Sequence, residues 1–180
     1  MSRGYSIRWR TQTVTRVTER GSVTAADRLE LAVDLLGILS EGEMTALLRD
    51  ALCADGWTPA GDGELVQVID GVEARLAKDG RSIRMGVEGS RDVRGVGDDR
   101  DEAVRALARS EERAQAALSS ELARRLDRAE ADLQGRLAEV IQGVYVEALK
   151  QKAARLGEVS SIDERMDEQG QLELTIKVKV

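Results

Sequence analysis

The organisation of this chain is decided by residues 101–156, which read DEAVRALARSEERAQAALSSELARRLDRAEADLQGRLAEVIQGVYVEALKQKAARL. The stretch contains no proline, and aliphatic residues recur at steps of three and four along it. The repeat begins as a heptad and continues as an eleven-residue repeat, which is typical of one straight or slightly right-handed helix. At about 1.5 Å per residue, this helix would measure on the order of 80 Å. A compact domain of this size has a radius of gyration of about 16 Å, so the pattern predicts a helix that extends beyond its own domain.

The two halves of this predicted helix carry different apolar faces. From Leu137 onward the face is wide, as in a helix that packs against a sheet. Between Val104 and Leu133 the face is narrow and is flanked by charges of both signs, which is typical of helix–helix pairing. We therefore predict that the first half projects as an arm and binds a partner through one stripe of leucines. The residues of this leucine stripe are Leu107, Leu118, Leu122, Leu126 and Leu133.

The alternative for the arm is a break at Ser119 and Ser120 that folds it into a hairpin and covers the stripe. The apolar phase continues across these serines, which favours one continuous helix.

The residues before the helix alternate in the manner of strands that are buried on one face. Gly4–Thr18 form one such run, and Gly21 with Ser22 predicts a break after it. In Arg28–Leu35 a period of two accounts for every charged position, although a helix would also give this stretch an apolar face. We interpret it as a strand.

A short helix follows, and capping residues mark both of its ends. Ser40 and Glu43 have the spacing of a capping box at its start. Gly56 ends it, with Trp57 placed to fold back as in a Schellman motif. Cys53, the only cysteine, lies in this helix. We expect its side chain to be buried and unreactive, and the single thiol indicates a reducing, cytoplasmic environment.

The middle of the chain predicts an antiparallel meander of short strands. The strands are expected at residues 65–69, 72–76 and 83–87, with turns at Asp70-Gly71 and Lys78-Asp79-Gly80. An Asp-Gly pair between alternating runs is a strong signal for a tight hairpin turn. Residues 92–100 are rich in glycine and aspartate, so we interpret them as a linker. After the long helix, Val159–Glu164 and Leu172–Val180 predict a β-hairpin.

The predicted fold class is therefore α+β, with one short helix and one long coiled-coil-like helix. The sheet is expected to be mixed or antiparallel and to combine the N-terminal strands, the meander and the C-terminal hairpin. The predicted parts are an N-terminal α+β part (1–91), the linker (92–100), the helical arm (101–156) and the hairpin that completes the sheet (157–180).

The composition limits the classes of function. The 27 basic and 33 acidic residues give a net charge of −6, which disfavours a nucleic-acid binder. No apolar run is long enough to cross a membrane. The chain has no histidine and no phosphate-binding loop motif, and the acidic residues near Asp99 are expected where a helix begins. We therefore expect no catalytic, cofactor or metal site, and no enzymatic activity.

Three segments of the chain resemble one protein family. They are MSRGYSIRWRT (1–11), DRLELAVDLLGILSEGEMTALLRDALCADGW (27–57) and EALKQKAARLGEVSSIDERMDEQGQLELTIKVKV (147–180). Together with the long charged helix, they resemble small accessory proteins of bacterial ternary systems, encoded with FtsH-like and MoxR AAA+ ATPases and a von Willebrand factor A protein. The resemblance implies an accessory or adaptor role in a conflict or stress system, with an AAA+ ATPase as partner. It implies no active-site residues.

The function expected from the sequence is that of a non-enzymatic cytoplasmic adaptor, which binds a protein partner through the leucine stripe. The first alternative is a structural module whose arms pair with each other as a coiled coil, giving a homo-oligomer. The second is a nucleic-acid-binding protein, favoured only by the arginines of the first eighteen residues, which are Arg3, Arg8, Arg10 and Arg16.

Overall fold

Seven β-strands and two α-helices make up the described part of the chain, which is residues 16–166 and 172–179 of a computed structural model. They are β1 (Val17–Ala32), α1 (Glu41–Ala54), β2 (Thr58–Pro59), β3 (Leu65–Ile69), β4 (Val72–Leu76), β5 (Ser82–Gly97), α2 (Arg100–Leu156), β6 (Glu158–Met166) and β7 (Leu172–Lys179). Strands β1 to β5 form an antiparallel sheet in the order β1-β5-β4-β3-β2, and β6 pairs with β7. The α+β class and the long helix are confirmed.

The described elements fall into two compact units. The first comprises the described residues up to Ala25 together with Glu88–Glu121. The second comprises Ala26–Val87 together with the residues from Leu122 onward. The boundary passes through β1, β5 and α2, so each of these elements contributes to both units. The predicted division into parts 1–91, 92–100, 101–156 and 157–180 stays a prediction.

In the first unit, glycines let the helix backbone lie directly on the strands. Gly95 and Gly97 occupy inward-facing positions of β5. A Cβ atom at Gly95 would lie 2.7 Å from the Cα atom of Leu107 and would overlap the backbone of Ala103. Residues 92–97 are therefore strand, and the predicted linker is wrong over this range. Only glycine leaves room for the backbone of α2 at this contact.

The predicted break at Gly21 and Ser22 is also wrong, because both residues lie inside β1. A Cβ atom at Gly21 would overlap the carboxylate of Glu111 and lie 3.5 Å from Leu107 Cδ1. Gly21 is thus a site of close approach between strand and helix without a turn, although the atoms nearest its Cβ position belong to the side chains of Glu111 and Leu107 and not to the helix backbone.

Acidic residues cap the start of α2, as predicted. The Asp99 carboxylate accepts a hydrogen bond of 2.7 Å from the N–H of Glu102. The Glu102 carboxylate in turn accepts one of 2.9 Å from the N–H of Asp98. These bonds satisfy amides at the helix start that would otherwise lack partners.

The second unit contains the predicted meander, and the bounds of β3 and β4 and both turns are confirmed, whereas the third strand, predicted at 83–87, is longer and extends over Ser82–Gly97. The turn residues Asp70 and Gly71 have φ angles of 50° and 75°, as in a type I′ turn, and Ile69 pairs with Val72 across it. Gly80 has a φ of 71° and closes the second turn.

Helix α1 has the predicted caps. Ser40 and Glu43 form the capping box, and the Trp57 N–H donates to the Leu52 carbonyl at 3.0 Å, completing a Schellman motif at Gly56. Its core face consists of Met44, Leu48 and Leu52. Cys53 is exposed, so the prediction of a buried thiol is wrong. The cysteine immediately follows the last core residue and is rotated from it by about 100° around the helix, which places it off the core face.

The C-terminal hairpin is a separate two-stranded sheet, so the prediction that it completes the larger sheet is wrong. Val159 pairs with Val178, and Ile162 pairs with Ile176, with a bulge after Val159. The alternating pattern indicated that one face is apolar but did not specify the strand neighbours, and β6 pairs with the next strand along the chain. Residues 4–15 of the predicted strand Gly4–Thr18, and residues 167–171 between the two predicted hairpin strands, lie outside the described residues.

Candidate protein-interaction surface

The leucine stripe of α2 is covered by the chain itself. Leu118, Leu122, Leu126 and Leu133 are only between 2% and 4% exposed. Leu107 is half-buried beside Gly21 and Gly95. The expectation of a projecting arm is therefore corrected. A narrow apolar stripe can pack against a partner helix. It can pack equally well against the chain's own strands where glycines allow the helix backbone to approach closely.

Polar contacts hold α2 to neighbouring elements in each unit. In the first unit, Arg91 of β5 pairs with Glu121 at 2.8 Å, and the Gln115 side chain donates to the Thr24 carbonyl at 3.1 Å. In the second unit, Arg136 pairs with Asp55 at 3.1 Å. Exposed pairs of this kind contribute only about 0–1 kcal/mol each, so the buried leucines dominate the attachment of the helix.

Seven large apolar side chains of the described residues are nevertheless exposed. They are Leu36, Val68, Val96, Val104, Leu149, Leu156 and Ile162. Three of the seven lie close together in sequence, at the end of α2 and the beginning of β6. These are Leu149, Leu156 and Ile162, and all belong to the second unit.

The loop between β1 and α1 presents a fourth exposed side chain, Leu36, in the apolar sequence LLGIL (35–39). The hydroxyl of Tyr145 on α2 fixes this loop. It accepts a hydrogen bond of 3.1 Å from the Leu36 N–H and donates one of 3.4 Å to the Asp34 carbonyl. Leu149 lies one helical turn after Tyr145. We call Leu36, Leu149, Leu156 and Ile162 the C-terminal apolar group.

A pocket of about 370 Å³ opens beside the same loop. The apolar part of its lining comes from the loop, the end of β1 and α1, and includes Val33, Leu35, Leu36, Leu39 and Met44. Its polar part includes Asp34, Glu41, Asp79 and Arg81. Pockets that bind small ligands or side chains are commonly about 300–1,000 Å³, so this one is at the small end of that range.

The hairpin is amphipathic. The pairs Val159–Val178 and Ile162–Ile176 lie on one face, and Ser161–Lys177 and Arg165–Glu173 are among the pairs on the other. Ile162 is exposed, and Val159, Ile176 and Val178 are half-buried. An isolated two-stranded hairpin is marginally stable, so its apolar face adds to the surface available for association.

The shifted pKa values in the described residues belong to surface pairs. The Arg155 guanidinium, 2.5 Å from Glu43, and the Ser40 hydroxyl and N–H lower the pKa of Glu43 to about 2. The N–H of Glu64 lowers the pKa of Asp62, and Glu73 raises the pKa of Arg75. Each shift stabilises the charged form, whereas a general acid at neutral pH needs a carboxyl pKa that is raised.

Sequence reasoning did not find the loop at residues 35–39, although one signal was present. All four non-glycine residues of LLGIL are apolar, so the run shows neither the alternation of a half-buried strand nor the mixed pattern of an amphipathic helix. Such a run is also found in strands that are buried on both faces, so the exposure of Leu36 is visible only in the structure.

Neither helix of the described chain has an apolar run that could cross a membrane. No curated protein and no solved structure is significantly similar to the chain. The family described as FtsH ternary system domain X5 matches residues 1–180. This match covers every segment on which the resemblance to ternary-system accessory proteins was based. The chain therefore belongs to the FtsH ternary system domain X5 family.

Proposed function

We propose that this protein is a non-enzymatic adaptor of the FtsH ternary system, which acts in the cytoplasm and binds a protein partner. Family membership supports an accessory role in that system. The absence of histidine from the sequence and the purely structural pairing of the shifted carboxylates support a role without catalysis.

The observation that carries the proposal is the C-terminal apolar group. Leu36 is 62% exposed and Leu156 is 67% exposed, whereas four of the five leucines of the stripe are buried and Leu107 is half-buried. Exposed apolar side chains that share one helix face, as Leu149 and Leu156 do at a spacing of seven residues, are typical of protein-binding surfaces. The long helix would thus contribute to binding through its C-terminal end, and the leucine stripe would keep the helix attached to its own chain.

The partner that the family resemblance favours is an AAA+ ATPase encoded in the same system, either FtsH-like or MoxR-type. Self-association through the same surface is the main competitor, because an apolar surface can also pair with a second copy of itself. Nucleic acid is disfavoured by the net charge of −6.

Light scattering combined with size-exclusion chromatography tests the proposal. The purified chain is measured alone and mixed with each ATPase and with the von Willebrand factor A protein. We expect a monomer that forms a complex with one ATPase and does not hydrolyse nucleotides by itself. A stable dimer that excludes every candidate, or hydrolysis that survives repurification, would contradict the proposal.

A matched pair of variants tests the surface. Leu156→Asp places a charge in the C-terminal apolar group, whereas Val104→Asp places one at a position that is 48% exposed on the same helix. We expect the first to abolish the complex and the second to leave it intact, with both variants folded. Equal binding by both variants would show that the partner does not use this end of the helix.

A further inference from the structure

The pocket beside the β1–α1 loop is held in shape by contacts from three elements. Tyr145 bonds to the loop at Asp34 and Leu36, and the Val33 N–H donates to the Arg81 carbonyl at 2.8 Å. The Thr45 hydroxyl contributes a bond of 3.4 Å to the Asp79 carbonyl. Because the loop is fixed on both sides, an incoming ligand would lose little free energy by ordering it.

The charges around the pocket are not balanced. Three of the lining residues are acidic, namely Asp34, Glu41 and Asp79, and one is basic, Arg81. Arg81 pairs with Glu41, and Asp79 Oδ1 accepts a hydrogen bond of 3.0 Å from the Arg81 N–H. The Asp34 carboxylate has no ion-pair partner in the described part of the chain. The rim therefore has an excess of negative charge, and Asp34 is available to a cation.

We propose that this pocket binds a short peptide segment of the partner, in which an aliphatic side chain stands next to a lysine or arginine. The aliphatic side chain would pack between Leu36, Leu39 and Met44, and the cation would pair with Asp34. The volume of about 370 Å³ suits one or two aliphatic side chains. Leu36 extends the apolar contact beyond the pocket, which favours a peptide over a compact small molecule.

This inference rests on the proposed function for the source of the peptide, but it can be tested without the partner. The probe is a capped Lys-Leu-Leu-Lys peptide, and the charge-reversed Glu-Leu-Leu-Glu peptide is its control. Amide NMR shifts are followed on the whole chain at increasing peptide concentration. We expect the cationic peptide to shift the amides of Gly37, Thr45 and Gly80, and the acidic peptide to shift them far less. Absence of shifts at these amides, or equal shifts with both peptides, would overturn the proposal.

Two variants and a matched control extend the test. Leu36→Ser removes a side chain that is 62% exposed, and Val68→Ser does the same at a position on β3 that is 65% exposed. Loss of a buried leucine contact corresponds to about tenfold weaker binding or more. We therefore expect at least that loss for Leu36→Ser and none for Val68→Ser. Asp34→Asn should remove the preference for the cationic peptide. Equal affinities for Leu36→Ser and Val68→Ser would refute the pocket.

The same variants separate this inference from the proposed function. If the partner complex forms and is weakened by Leu36→Ser but not by Val68→Ser, both proposals are supported. If the complex forms equally with all variants, the adaptor role stands and the peptide pocket is refuted. If no candidate partner binds the wild-type chain, the adaptor role fails, and the peptide titration alone decides the pocket.

Discussion

Replacing Leu133 with Ala should destabilise the second unit, because α2 packs within its own chain through this side chain. Leu133 is 2% exposed and is among the largest fully buried side chains. Truncation of a buried leucine costs about 2–5 kcal/mol, the range reflecting how far the surroundings collapse into the cavity. In a protein of this size, each kcal/mol lowers the melting temperature by about 2–4 °C. The expected decrease is therefore roughly 4–20 °C.

The control for this change is Leu156→Ala, which makes the same substitution on the same helix. Leu156 is 67% exposed, and exposed substitutions usually alter stability by less than about 0.5 kcal/mol. Helix propensity does not distinguish the two variants, because both replace leucine with alanine. Urea unfolding followed by circular dichroism gives the free energy of unfolding for each.

One result would refute this reasoning. If Leu133→Ala is no less stable than Leu156→Ala, the leucine stripe does not pack within its own chain. The projecting arm predicted from the sequence would then be the better description, and the partner would be expected on the stripe.

Three further predictions concern glycines and pH. Gly95→Ala should cost about 1–3 kcal/mol or more, because the new methyl group meets the fixed backbone of Ala103, and thermal melting will show it. Gly135→Ala, with no atom near its Cβ position, should gain about 1 kcal/mol in urea unfolding; a loss would contradict an open helix surface there. The pKa of Glu43 is lowered from 4.5 to about 2, so the stability from its pairing with Arg155 is complete above pH 4.5 and is lost as the pH falls towards 2. Glu43→Gln should remove this part of the acid dependence of the urea midpoint.

Elements whose signals are local could be predicted from the sequence. The capping box at Ser40, the Schellman motif at Gly56 and the turn at Asp70-Gly71 each depend on a few adjacent residues. The single helix over Asp101–Leu156 followed from a long, unbroken period. In each case the backbone hydrogen bonds that define the element are made between neighbours in sequence.

Features that depend on distant residues could not be predicted. In the sequence, Gly21 and Gly95 look like residues that break a strand. The residue type alone does not distinguish a glycine that forms a turn from a glycine that allows a close contact. Only the proximity of Leu107 distinguishes the two cases. The prediction that the hairpin joins the larger sheet and the prediction that the leucine stripe is exposed were wrong for the same reason. Periodicity shows that a face must be covered, but it does not show by what.

That the long helix carries a protein-binding surface stays a prediction, and the residues that were expected to form it are largely buried. The sequence indicated a protein-binding surface on the long helix, and the structure leaves the exposed leucines at its C-terminal end. The loop residue Leu36 was missed because its exposure depends on Tyr145, more than a hundred residues away in sequence, which fixes the loop on the helix.

The discontinuity of the two units has a consequence for how this chain reaches its native state. The first unit needs Glu88–Glu121 and the second needs the residues from Leu122 onward, so neither is complete until the chain has been synthesised at least as far as Glu121. Folding therefore depends on contacts between distant segments, which slows it relative to a protein built from local contacts. No single truncation within the described chain leaves both units whole. During synthesis, the strands that pack against α2 stay uncovered until the helix has been made. In that interval their exposed edges can aggregate or bind chaperones.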